Sequence, residues 1–130
     1  MSGPAHMRTP LARVRGFGTA KSGTRDFWRQ RLTAVANIPL TIAAVIILVM
    51  LLGRNQAATA QILGSPAVSI ILLLFIISNV VHMKIGMQVI IEDYVHDESS
   101  KLTLVMANTF FCCAVGAVAV YALLKLSFGL

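Results

Sequence analysis

Three long apolar blocks, separated by short polar stretches, dominate the pattern along this chain. The first runs from about Leu32 to Gly53, the second from about Pro66 to Ile91 and the third from about Leu102 to Phe128. None contains Asp or Glu, and Leu, Ile, Val and Ala prevail in all of them. About 20 mostly apolar residues suffice to cross a bilayer. Backbone polar groups in lipid must be satisfied within their own segment, so each block is expected to be a helix. The predicted fold class is an all-α membrane protein with three transmembrane helices. Residues 54–65 connect the first two spans and residues 92–101 the last two. Pro66 suits the first turn of the second helix, where its missing N–H is not needed. Pro39 lies inside the first span and is expected to kink it or to change its packing locally.

Composition strengthens this picture. The chain has 130 residues, 57% of them hydrophobic and only 12% charged. A soluble domain carries roughly a quarter charged residues, so lipid is the expected solvent. The net charge of +6 is concentrated ahead of the first span. Arg8, Arg13, Arg15, Lys21, Arg25, Arg29 and Arg31 stand there against a single acid, Asp26. Residues 1–31 therefore read as a basic arm and residues 32–128 as a membrane domain. The positive-inside rule places the N-terminus on the cytoplasmic side, the 92–101 loop with it, and the C-terminus outside. Positive flanks are what an N-in span requires, so the arm is read as contacting lipid and not nucleic acid. The first apolar block starts too late and runs too long for a secretory signal peptide. The Arg-rich, acid-poor leader does share its composition with mitochondrial transit peptides.

Chemistry concentrates in the second span, which continues from Phe75 as FIISNVVHMKIGMQVIIEDYVHDES. His82 lies about a dozen residues before Tyr94, or roughly 18 Å of helix rise. Ionisable groups at such depth are usually paired or functional. Position alone leaves two readings open, a helix-packing histidine or a metal ligand. Ser78 and Gly86, four residues to either side, share its face. Gly86 removes a side chain where a flat macrocycle would approach the backbone, and Asn79 is placed to donate a hydrogen bond near the ring. Imidazole is a usual axial ligand of haem iron. One histidine fills only one axial position, so the opposite ligand would come from another subunit of a heteromeric helix bundle. Lys84 points to nearly the opposite side and is read as snorkelling or meeting a partner subunit. Adjacent Cys112 and Cys113 cannot form an ordinary bridge and are read as small apolar fillers.

Glu92-Asp93-Tyr94-Val95-His96 ends the second span. It reads either as a polar helix terminus with an interfacial tyrosine or as a headgroup site. In the second reading Tyr94 donates to a carbonyl oxygen and Asp93 orients it or relays a proton. Glu92, Asp97 and Glu98 are read as solvated charge. Ahead of the first span, Phe27 and Trp28 fit an interfacial anchor. Arg29 and Arg31 sit where a cation meets phosphate headgroups or a carboxylate cofactor.

Taken together, His82-x3-Gly86-Met87, Asp93-Tyr94 at fixed spacing, Asp26-Phe27 and Arg31-x-Thr33-Ala34 resemble one family. It is the family of hydrophobic membrane anchors of succinate dehydrogenase (respiratory complex II). The resemblance covers the chain from about Gly16 onward. It implies that His82 is an axial ligand of a b-type haem, with the opposite ligand supplied by the second membrane anchor, the cytochrome b partner. It implies that Tyr94 binds ubiquinone near the iron–sulfur subunit, with Asp93 in support, and that Arg31 lies near the haem propionates. Flavin and iron–sulfur clusters would belong to the flavoprotein and iron–sulfur subunits, since the chain has no dinucleotide fingerprint and no spaced cysteines. The chain would then serve quinone reduction without holding the succinate site. The leader ahead of the matched region is short for a cleaved transit peptide, so a bacterial inner membrane is expected over a mitochondrial one. A structural anchor without haem, or another small membrane protein, is the alternative.

Overall fold

A computed structural model describes residues 9–11 and 21–130. Its four main helices are α1 (Lys21–Leu51), α2 (Gln56–Leu63), α3 (Pro66–Tyr94) and α4 (Glu98–Ser127). Three of them, α1, α3 and α4, are long and apolar enough to span a membrane. The chain is an all-α, multi-pass membrane protein. Successive long helices run in alternating directions, which gathers the start of α1, the end of α3 and the start of α4 at one end.

The ends of the spans differ from those expected, and the differences have local causes. Hydropathy marks where lipid is, whereas helical hydrogen bonding continues into the headgroup zone. Thus α1 begins at Lys21 and not near Leu32, so residues 21–31 of the basic arm are helical and continuous with the first span. Arg8, Arg13 and Arg15 of that arm lie outside the described residues. Pro39 sits within an unbroken α1. Gly53, at φ 72°, supplies the left-handed residue that stops this helix.

The connection expected over residues 54–65 contains the short helix α2, whose cap residue Asn55 accepts from the Ala58 N–H at 2.8 Å. The start of α4 moves forward to Glu98 because Asp97 caps it. The Asp97 carboxylate accepts from the Ser100 N–H at 2.8 Å and the Ser100 hydroxyl at 2.7 Å. These two bonds hold the carboxyl below the usual carboxylate range. Asp97 is thus a cap as well as a solvated charge.

Packing centres on α3, which contacts α1 on one side and α4 on the other. Small side chains bring the helices together, as is usual where lipid removes the hydrophobic drive between spans. Ala44 and Ile47 of α1, Ser78 and Ile85 of α3 and Cys112 of α4 are buried. At Gly116 a Cβ would lie 3.3 Å from Val80 Cγ1, so α4 packs closely on α3 there. Val35, Ile38, Phe110 and Val118 are among many large apolar side chains left exposed. Such a surface is untenable in water and suits lipid or neighbouring helices.

Candidate functional site

Two helices build the surroundings of His82. The ring is half-buried on α3, and its Nδ1 lies 3.2 Å from the Thr33 hydroxyl oxygen of α1. Thr33 has one hydroxyl proton, and the helix backbone claims it. The hydroxyl donates to the Arg29 carbonyl at 2.8 Å, shared with the Gln30 carbonyl at 3.1 Å. With that proton on the backbone the hydroxyl oxygen can accept from His82, and the hydrogen-bond pattern assigns the ring proton to Nδ1. In a neutral imidazole this leaves Nε2 as a bare lone pair. Nε2 has no hydrogen-bond partner among the described residues. That arrangement is the one found at metal-bound histidines, where the second nitrogen donates to a fixed acceptor.

Neighbouring residues divide into those that join this contact and those that do not. Ser78, 8% exposed, donates to the Thr33 carbonyl at 3.4 Å and ties the same two helices. At Gly86 an added Cβ would meet only the Gln30 side-chain nitrogen, at 4.0 Å. The Ser78–His82–Gly86 stripe thus borders α1, with open space beside Gly86. Asn79 does not assist the ring: its amide donates to the Phe75 carbonyl of its own helix at 2.9 Å. Thr33 takes the place expected of Asn79. Met87 is likewise absent from the stripe and lines an apolar groove between α3 and α4 with Met83 and Phe111.

The backbone carbonyl of Lys84 accepts from the Asn108 amide of α4 at 2.9 Å. Asn108 in turn accepts from the Cys112 thiol at 3.4 Å. Both cysteines are free, Cys112 buried and Cys113 exposed.

Toward the α3 terminus, a cleft of about 450 Å³ opens between α1 and α3, lined by Asp26, Phe27, Gln30, Ile85, Gln88 and Glu92 among others. Gln88 donates to Glu92 at 2.9 Å. Tyr94 and Asp93 lie at the exposed end of the same helix, with Tyr94 78% exposed. The structure brings neither into contact with His82. Arg31 is also exposed, and its guanidinium lies 5.0 Å from the centre of the Phe27 ring. Phe27 packs edge-on against Trp28, with ring centres 6.0 Å apart. Two residues turn a helix by about 200°, so Arg31 leaves α1 on a different side from Thr33. Among the described residues no cluster of three or more His, Cys, Asp and Glu gathers to hold a metal ion.

Comparison with known proteins points one way. Residues 5–116 match the family described as succinate dehydrogenase/fumarate reductase transmembrane subunit. A succinate dehydrogenase hydrophobic membrane anchor subunit from Paracoccus denitrificans is 32% identical over 121 residues, 93% of each chain. One from Rickettsia bellii is 31% identical over 107 residues, 80% of this chain and 83% of its own. A succinate dehydrogenase membrane anchor subunit from Reclinomonas americana is 28% identical over 89 residues, 66% of this chain and 74% of its own. No solved structure matches significantly. With most of its length matched, this chain belongs to the family of succinate dehydrogenase and fumarate reductase transmembrane subunits.

Proposed function

We propose that this chain is the hydrophobic membrane anchor of a succinate dehydrogenase, holding half of a haem b site and part of a ubiquinone site. The names of its relatives support the anchor role. The observation that carries the haem reading is the 3.2 Å contact of His82 Nδ1 with a Thr33 hydroxyl that donates to its own helix, which suits a tautomer with a free lone pair on Nε2. Open space beside Gly86 also suits a flat macrocycle. When bound, haem b supplies a one-electron redox centre.

His82 would hold the iron together with a ligand from the second membrane anchor. Arg31 would meet the propionates once its cation leaves the Phe27 ring. At the surface, Tyr94 donates its hydroxyl proton to a ubiquinone oxygen and stabilises the charge that develops there. Asp93, also exposed, takes protons from the cytoplasmic side and passes them toward that oxygen. The iron–sulfur subunit, with the flavoprotein behind it, would dock on this cytoplasmic end, the N-terminus facing the same compartment of a bacterial inner membrane.

The test is purification after mild solubilisation, followed by reduced-minus-oxidised spectroscopy. Flavoprotein and iron–sulfur partners should co-purify, and a b-type band should be lost or altered in His82→Ala. An unchanged band would end the ligand assignment, and absence of both partners would end the anchor reading.

A further inference from the structure

Thr33 has no role in the proposed function beyond its contact with His82, yet its geometry is more constrained than packing requires. Its hydroxyl proton is committed to the carbonyls of Arg29 and Gln30, at 2.8 and 3.1 Å. A β-branched side chain on a helix has few rotamers, and threonine's are set by this back-bonding. The direction of its remaining lone pairs is therefore fixed by the α1 backbone and not by a free rotor. Those lone pairs meet His82 Nδ1 at 3.2 Å. The Ser78 hydroxyl holds the Thr33 carbonyl from α3, so the two helices are pinned at this level. Asn79, the other amide near this face, is spent on Phe75. No rival polar group of the described residues competes for Nδ1.

We propose that Thr33 is a positioning residue for the His82 ligand, fixing the tautomer and rotation of the ring and raising its donor strength toward iron. The proposal rests on the reading of His82 as an axial ligand. An acceptor on the far nitrogen makes an imidazole a more basic ligand, which favours the ferric state and lowers the midpoint potential. A hydroxyl oxygen accepts more weakly than a carboxylate, so the effect is a tuning of the haem and not a change of its type.

The experiment uses the complete complex in mild detergent, with Thr33→Val, which keeps the shape and removes the acceptor, and Thr33→Ser, which keeps the acceptor. Redox potentiometry of the haem and low-temperature electron paramagnetic resonance of its ferric form are the readouts. Thr33→Val should raise the midpoint potential and move the low-spin g values, and Thr33→Ser should restore both. A valine variant identical to wild type in both readouts overturns the proposal, as does a serine variant shifted as far as valine. Should valine prevent assembly, Thr33→Ala is read by the same two criteria. The two readings fail differently. If His82→Ala leaves the haem signal unchanged, the ligand assignment falls; if His82→Ala alters it while Thr33→Val does nothing, only the role of Thr33 falls.

Discussion

Replacing Gly86 by alanine separates the chain's own packing from the approach of an outside group. Within the chain, the new Cβ would meet only the Gln30 side-chain nitrogen at 4.0 Å, an ordinary van der Waals distance. A helical glycine is about 1 kcal/mol less favourable than alanine. The chain alone should therefore accept the substitution with an effect between zero and a gain of about 1 kcal/mol. By contrast, a macrocycle lying against the Gly86 backbone would lose part of its space to the methyl group. The assay compares two preparations. In cells unable to make haem, Gly86→Ala should accumulate in the membrane at least as well as wild type. In haem-replete cells, the b-type difference band of the purified complex should fall in amplitude or shift. An unchanged band would refute close approach at Gly86. A loss of accumulation without haem would refute the open space between α1 and α3.

Further outcomes follow from other parts of the molecule. Tyr94→Phe should lower succinate–quinone reductase activity while reduction of an artificial acceptor persists, and equal loss of both would remove the quinone-specific role. Gly116→Leu forces a side chain onto Val80, where even a Cβ is within 3.3 Å. Overpacking of this kind costs about 1–3 kcal/mol, so thermal stability of the detergent-solubilised complex should fall; wild-type stability would contradict the α3–α4 packing. Asp97 is held below the usual carboxylate range by Ser100, so its cap is intact above the ordinary carboxylate pKa and is lost as pH falls through the depressed value. Amide exchange in the first turn of α4, corrected for intrinsic rates, should show this opening in wild type and not in Asp97→Asn. The same pH dependence in both would exclude the cap as its source.

The sequence displayed the membrane spans because lipid demands uninterrupted apolar runs, and residues 32–51, 66–91 and 102–127 all lie in the observed long helices. Helix ends were less legible. Arg25, Arg29 and Arg31 interrupt the hydropathy before Leu32, but they are compatible with helix, and α1 continues through them. Helix α2 and the early start of α4 did have local signals, in the cap residues Asn55 and Asp97. A search for apolar length alone overlooks such caps. His82, Ser78 and Gly86 share a face because helical spacing dictates it. The Thr33 contact depends on the register between α1 and α3, which no single-helix pattern contains. Thr33 appeared in the sequence only as a member of the Arg31-x-Thr33-Ala34 element. Asn79, nearer in sequence, was the natural candidate partner, and its own helix backbone outcompetes the ring for it.

The central proposal is that His82 is one of the two axial ligands of a shared haem, and the ferric electron paramagnetic resonance spectrum of the intact complex tests it most directly. Wild type should show the low-spin signal of a six-coordinate haem. His82→Ala should convert that signal to high spin, shift it to new g values or abolish it. A His82→Ala complex with the wild-type low-spin spectrum would contradict the account.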